Sequence, residues 1–280
     1  MGWQMPRNFG SGIPKSSTYS GYKREASNFS SVCAGEQRFG LRVFQSKGSE
    51  CMMKKMIGMG MLAAAVLLTG CATRTKMAFE NEGDTLTANS KPVLLMTVTL
   101  KNHYKTSHQP KLLVVNVEKP DAKESSERFN FTMDDKAKAE SDKPETGNNY
   151  FIRMELEPGP YKIMGLTSTS TGFLINGYFF APLHSDIVAK KSGVYYLGHV
   201  DAIVRERKGE EFRAGSPVPL IDQAVVGASG GTFDVTISDA IDKDEALFRA
   251  RFPALKGVTI TKDILPAFDR AKAQAWWQAH

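Results

Sequence analysis

The chain has 280 residues, 41% of them hydrophobic and 24% charged, with 36 Lys or Arg against 30 Asp or Glu, a formal net charge of +6. The whole excess lies in residues 1–70, which hold nine basic and three acidic residues, whereas residues 71–280 hold 27 of each. A neutral body without a basic block gives no support for nucleic-acid binding, and none is expected. A single cysteine from residue 71 onward, Cys71, excludes a disulfide framework or a cysteine-rich metal centre there.

Residues 1–51 are rich in Ser and Gly, with scattered aromatics and no helical or strand period. Lys54 and Lys55 then precede an apolar run over 56–67, the length of a signal-peptide core and too short to span a hydrocarbon core of about 30 Å as a helix. The run closes on Leu68-Thr69-Gly70-Cys71, which resembles the lipobox of bacterial lipoproteins. The resemblance implies that the Cys71 thiol takes a diacylglycerol, that the leader is cut just before it, and that the new amino terminus is acylated. Two or three acyl chains give stable anchoring where one is marginal. Ala72 stands where Asp would favour inner-membrane retention, so the resemblance points to the outer membrane, facing the periplasm. A leader should open a chain, so translation is expected to begin at Met52 or Met53, with residues 1–51 a disordered, non-native extension.

Residues 52–70 are thus read as the signal peptide, 71–91 as a polar lipidated tether, 92–240 as a β-domain and 241–280 as a helical segment. Residues 92–100 and 111–117, rich in Val, Leu and Thr, read as a β-hairpin with a long loop. Residues 119–149 are dense in charge, with Phe129, Phe131 and Met133 alternating as one short strand between solvated loops. From Tyr150, the residues Tyr150, Ile152, Met154 and Leu156 alternate with Phe151, Arg153, Glu155 and Glu157, the period of a half-buried strand with its polar side outward. Pro158-Gly159-Pro160 supplies a turn, and Tyr161 begins a return strand. Residues 173–181 form an apolar run interrupted by Asn176-Gly177, a hairpin-type dipeptide. Val194 starts a strand reaching about Arg205. A charged loop follows over 205–215, then strands over 218–226 and 232–238. Residues 242–252 read as a helix capped by Asp242 and stopped by Pro253, and residues 266–280 as a second helix with Pro266 in its first turn. Many short strands and two late helices argue for a mainly β fold, an antiparallel β-sandwich with a small C-terminal helical appendage.

The run Met154-Glu155-Leu156-Glu157-Pro158-Gly159-Pro160-Tyr161-Lys162-Ile163 is similar to the Leu-x-Pro-Gly-x-Tyr hairpin of transthyretin-like (prealbumin-like) β-sandwich domains. Ser192-Gly193-Val194-Tyr195-Tyr196-Leu197-Gly198 is similar to the strand that follows it in a group of bacterial lipoproteins of unknown function. The resemblance covers residues 150–204. It implies a fold and carries over no catalytic residues.

Gly227-Ala228-Ser229-Gly230-Gly231 has the letters of a hydrolase nucleophile elbow, which needs a strand before it and a helix after it. Residues 232–237 alternate like a strand, so the segment reads as a glycine-rich turn. His103 and His108 lie five apart in one loop, looser than the zinc spacings, and His184 and His199 stand elsewhere, so no metal site and no cofactor are implied. Phe173, Tyr178, Phe179 and Phe180 read as core. Trp276 and Trp277 stand on the last helix, where Trp276 with Phe268 and the intervening alanines forms an apolar stripe suited to docking on its own domain or to binding a partner. The sequence thus predicts a non-catalytic envelope lipoprotein whose sandwich binds another envelope component. The alternatives are a periplasmic hydrolase using Ser229 with a histidine such as His199, and a carrier of a small apolar ligand.

Overall fold

A computed structural model describes residues 73–280, except 82 and 88. Leu68, Thr69, Gly70 and Cys71, with everything upstream, lie outside the described residues.

Two sheets share one core. The first has five strands in the order β1 (Thr73–Thr75), β4 (Arg128–Thr132), β3 (Lys111–Glu118), β7 (Gly159–Gly172) and β8 (Ile175–Ala189). The second runs β10 (Gly231–Ser238), β9 (Val194–Glu206), β2 (Val93–Asn102), β6 (Asn148–Glu155) and β5 (Lys138–Ala139), with β11 (Ile260–Lys262) beside the start of β9. Three α-helices complete the described residues: α1 (Leu220–Val225), α2 (Ile241–Arg251) and α3 (Arg270–Ala279). Both sheets are mixed, because β1 pairs with β4, and β9 with β2 and β11, in parallel. This corrects the purely antiparallel expectation.

Strand β2 shows why. Leu94, Met96, Val98 and Leu100 face the shared core, while Val93 and Leu95 face outward into a second cluster. That cluster is closed by Ile241 and Phe248 of α2, by Phe252 and by Leu255, and Phe151 meets Phe248 edge-on at 5.4 Å. A strand buried on both faces reads as a continuous apolar run, which suits the centre of a sheet with a parallel neighbour.

The expected hairpins at 92–117 and 150–169 are not hairpins. Strand β2 lies in the six-stranded sheet and β3 in the five-stranded one, and the same holds for β6 and β7. Each connection crosses between sheets, so Pro158-Gly159-Pro160 serves an arch. Strands β7 and β8 do form a hairpin, and its turn falls at Phe173-Leu174 between paired Gly172 and Ile175. Asn176-Gly177 lies inside β8 instead. Gly177 is needed there because a Cβ would stand 2.1 Å from a methyl of buried Val226. Of the four aromatics expected in the core, only Phe179 is fully buried; Phe173 and Tyr178 are exposed and Phe180 is half-buried.

Three further expectations are corrected. Residues 218–226 hold helix α1 rather than a strand, entered through Pro219. Helix α3 starts at Arg270, with Asp269 as its cap, so Pro266 precedes it; Ala240, not Asp242, caps α2. The segment read as a tether is part of the body: Thr73–Thr75 pair with Phe129–Phe131, and Met77, Ala78 and Phe79 are buried.

Candidate functional site

Helix α3 rests on β8. The Asp269 carboxylate accepts the Lys272 N–H at 2.9 Å and fixes the first turn. Positions 273, 276, 277 and 280 follow at helical spacing on one face. Ala273 is fully buried, and its small side chain admits the close approach. Gln274 ties the flank, accepting the Phe212 N–H at 2.6 Å and donating to the Glu210 carbonyl at 2.8 Å. The Trp276 ring has three aromatic neighbours: Phe180 at 5.5 Å, His184 at 4.8 Å and a stacked His280 at 4.9 Å. Trp277 packs on the shared core, with the Arg207 guanidinium 5.7 Å from its ring. Both tryptophans therefore dock α3 on its own domain, half-buried.

Two clefts share Trp276 and His280. One, about 340 Å³, is mostly apolar, walled by Phe180, Pro182, Phe212 and Trp277. The other, about 700 Å³, is polar, with Arg128, Lys162, Lys272, Glu118 and Asp121 around Met164. Its cations have carboxylate partners: Lys272 lies 3.2 Å and Lys162 3.9 Å from Asp186, outside the cleft, and Arg128 is 3.8 Å from Glu118.

His184 lines the larger cleft, beside Trp276. Ile163 pairs with Ser185 and Gly165 with Pro182, so Leu183 and His184 together face Met164 alone. Such a bulge re-aims a side chain. His184 adopts φ +48° and is 4% exposed, and its Nε2 has no hydrogen-bond partner. Its carbonyl accepts the Lys272 ammonium at 2.7 Å. Burial first, then the Lys272 and Lys162 charges, push its pKa down to about 4. The imidazole is thus neutral over the whole range in which histidine usually exchanges protons. A buried imidazole of this kind is a poor proton shuttle at neutral pH.

His199 is held by a separate network on the outer face of the six-stranded sheet. Its Nδ1 lies 2.7 Å from the Thr97 hydroxyl and its Nε2 3.3 Å from Asp201, whose carboxyl is held below the usual range by that contact. Thr97 and Tyr196 both donate to Asp244, the latter at 2.6 Å, which binds α2 to the sheet. Ser229 is not brought to His199. Gly231 pairs with Glu206 and Ser238 with His199, so the length of β10, roughly 23 Å at the usual strand rise, separates them. Ser229 follows a helix and precedes a strand, the reverse of an elbow. His103 and His108 stay in their loop, and among the described residues no three His, Cys, Asp or Glu are grouped to hold a metal ion.

Sequence reasoning missed Gln223, which is buried in α1. Its amide accepts the Tyr178 N–H at 2.6 Å and donates to the Tyr178 carbonyl at 3.0 Å, as a neighbouring strand would. With Asp222 accepting the Asn176 N–H and the Ala214 carbonyl accepting the Phe180 N–H, it covers the open edge of β8. Pro182, with no N–H to offer on that edge, was the visible signal for the bulge at His184.

Comparison with protein-family models, with curated proteins and with solved structures found no match. Among the described residues no helix is long and apolar enough to cross a membrane.

Proposed function

We propose that this chain is a non-catalytic lipoprotein of the bacterial cell envelope, held by acyl chains on Cys71. Its two sheets form a transthyretin-like sandwich that binds another envelope component. The observation that carries the reading is Leu68-Thr69-Gly70-Cys71 behind a Lys-Lys and apolar leader, ending two residues before β1. Ala72 favours the outer membrane, with the domain facing the periplasm. The neutral His184 and the distant Ser229 and His199 favour binding over catalysis.

The test is fractionation of intact cells with the native chain and a Cys71→Ser variant, with the mass of the mature N-terminus measured. Mature chain beginning at an acylated Cys71, with the variant uncleaved, is the expected result. A Cys71→Ser chain processed and located like the native one would overturn the anchor. Crosslinking pull-down of the anchored form then reads out the envelope component. The small apolar cleft beside Trp277 favours one second reading, carriage of a small apolar group, since about 340 Å³ is at the low end for ligand sites.

A further inference from the structure

The outer face of the five-stranded sheet carries a row of alternating charge beside helix α3. Arg128 of β4 stands opposite Glu118 of β3, Glu118 opposite Lys162 of β7, and Lys162 opposite Asp186 of β8. Cross-strand partners share a face, so the four side chains lie side by side. Lys272 of α3 ends the row, donating to the Asp186 carboxylate at 3.2 Å and to the His184 carbonyl at 2.7 Å. The larger cleft, about 700 Å³, opens along this row, with Met164 and the buried His184 in its wall.

The row is only loosely closed on itself. The Arg128–Glu118 contact at 3.8 Å and the Lys162–Asp186 contact at 3.9 Å are too long for hydrogen bonds. Exposed pairs of this kind are weak, so a ligand displaces them at little cost. The His184 Nε2 is buried without a partner, an unspent hydrogen bond at the cleft wall.

The charges divide by sign. On the α3 side Lys162 and Lys272 face one carboxylate, Asp186, an excess of one positive charge. On the β3 side Glu118 and Asp121 face one cation, Arg128, an excess of one negative charge. The field at His184 agrees: after burial, the charges of Lys272, Lys162 and His280 lower its pKa against Asp186. A plain anion would leave Glu118 and Asp121 unanswered, and a plain cation would leave Lys162 and Lys272 so. Strands β3 and β8 flank β7, two strand spacings or about 10 Å apart. One amino acid is too short to bridge that distance, whereas three extended residues span roughly 10 Å. Met164, on β7 between the two sides, and Trp276 offer an apolar side chain a surface to rest on.

We propose that this cleft binds a short peptide, about three residues long, with both termini free. Its carboxylate lies at Lys162 and Lys272, and its ammonium at Glu118 and Asp121. The assignment stands on the cleft alone, whether or not Cys71 is acylated.

The test is calorimetric titration of the full chain with alanyl-leucyl-alanine, its N-acetylated form and its C-terminal amide. The free tripeptide is expected to bind, and each capped form to bind at least tenfold more weakly. Lys162→Met should narrow the gap to the amide and leave the gap to the acetylated form; Glu118→Gln should do the reverse. Both replace partly exposed side chains, so the thermal midpoints of the variants should match the parent. Equal affinity for the acetylated form would make the cleft an anion site, and equal affinity for the amide a cation site. Either result overturns the inference, as does no binding of the free tripeptide, or a discrimination that neither variant changes.

Discussion

Arg153 sits on a strand whose alternation marks it as solvent-facing, yet it is 0% exposed. Its guanidinium donates to the Ala78 carbonyl at 2.7 Å, to the Phe151 carbonyl at 2.9 Å and to Asp134, and lies 4.0 Å from the centre of the Phe252 ring. Arg153→Ala takes the guanidinium from Asp134, which keeps only the Ala137 N–H, and from two buried carbonyls, so we expect a loss of about 3–5 kcal/mol in urea unfolding. Lys in its place would not restore it, because one ammonium cannot reproduce the fork. His184 sets a pH dependence of opposite chemistry. Its folded pKa of about 4 lies below the unfolded value of 6.5, so the unfolded chain takes the proton first as pH falls. Stability is present above pH 6.5 and drains away as pH falls through about 4. Between pH 6.5 and 4.5, above the carboxylate range, the native midpoint should slope downward. His184→Gln should flatten that slope; an unchanged slope would show that His184 is not the buried neutral base.

At the scale of elements, the link between α1 and the β7–β8 hairpin is steric. Gly177→Ala drives a methyl into Val226, a stiff side chain that is itself fully buried, and should cost about 1–3 kcal/mol. Val226→Ala in the same chain should recover part of it, and a purely additive double mutant would refute the contact. Strands β9 and β10 and helix α2 were legible in the sequence because their burial follows their own period, and β6 because its residues alternate even though both its faces are covered. Their sheet membership was not. An arch between sheets and a hairpin within one place the same turn residues between the same alternating runs, and only pairing partners distant in sequence distinguish them. The outer layer was illegible for the same reason: Phe151 and Arg153 read as outward until α2 and residues 77–79 cover them. Of the site, Trp276 and Trp277 were visible as rare large aromatics. Gln223 was not, since a strand-mimicking amide depends on register that local sequence does not encode, and for His184 only Pro182 hinted at the bulge.

Across the whole molecule, the N-terminal stretch that looks like linker is load-carrying packing: Met77 enters the shared core and Phe79 the outer cluster. A chain starting at Thr73 should match the thermal midpoint of the longer form, and one starting at Asn81 should melt several degrees lower. Equal midpoints for the two would show residues 73–80 to be dispensable. The same stretch has a mechanical consequence. In a chain fixed at Cys71, tension between membrane and partner enters at Thr73, through three residues of β1 paired only with β4. That short ladder yields first and releases roughly 13 Å of slack. The pull then meets Ala78, bonded in both directions to Arg153, and stops. If the anchorage proposed at Cys71 holds, this stretch would act as a short extensible leash with a catch, yielding over β1 before force reaches the core.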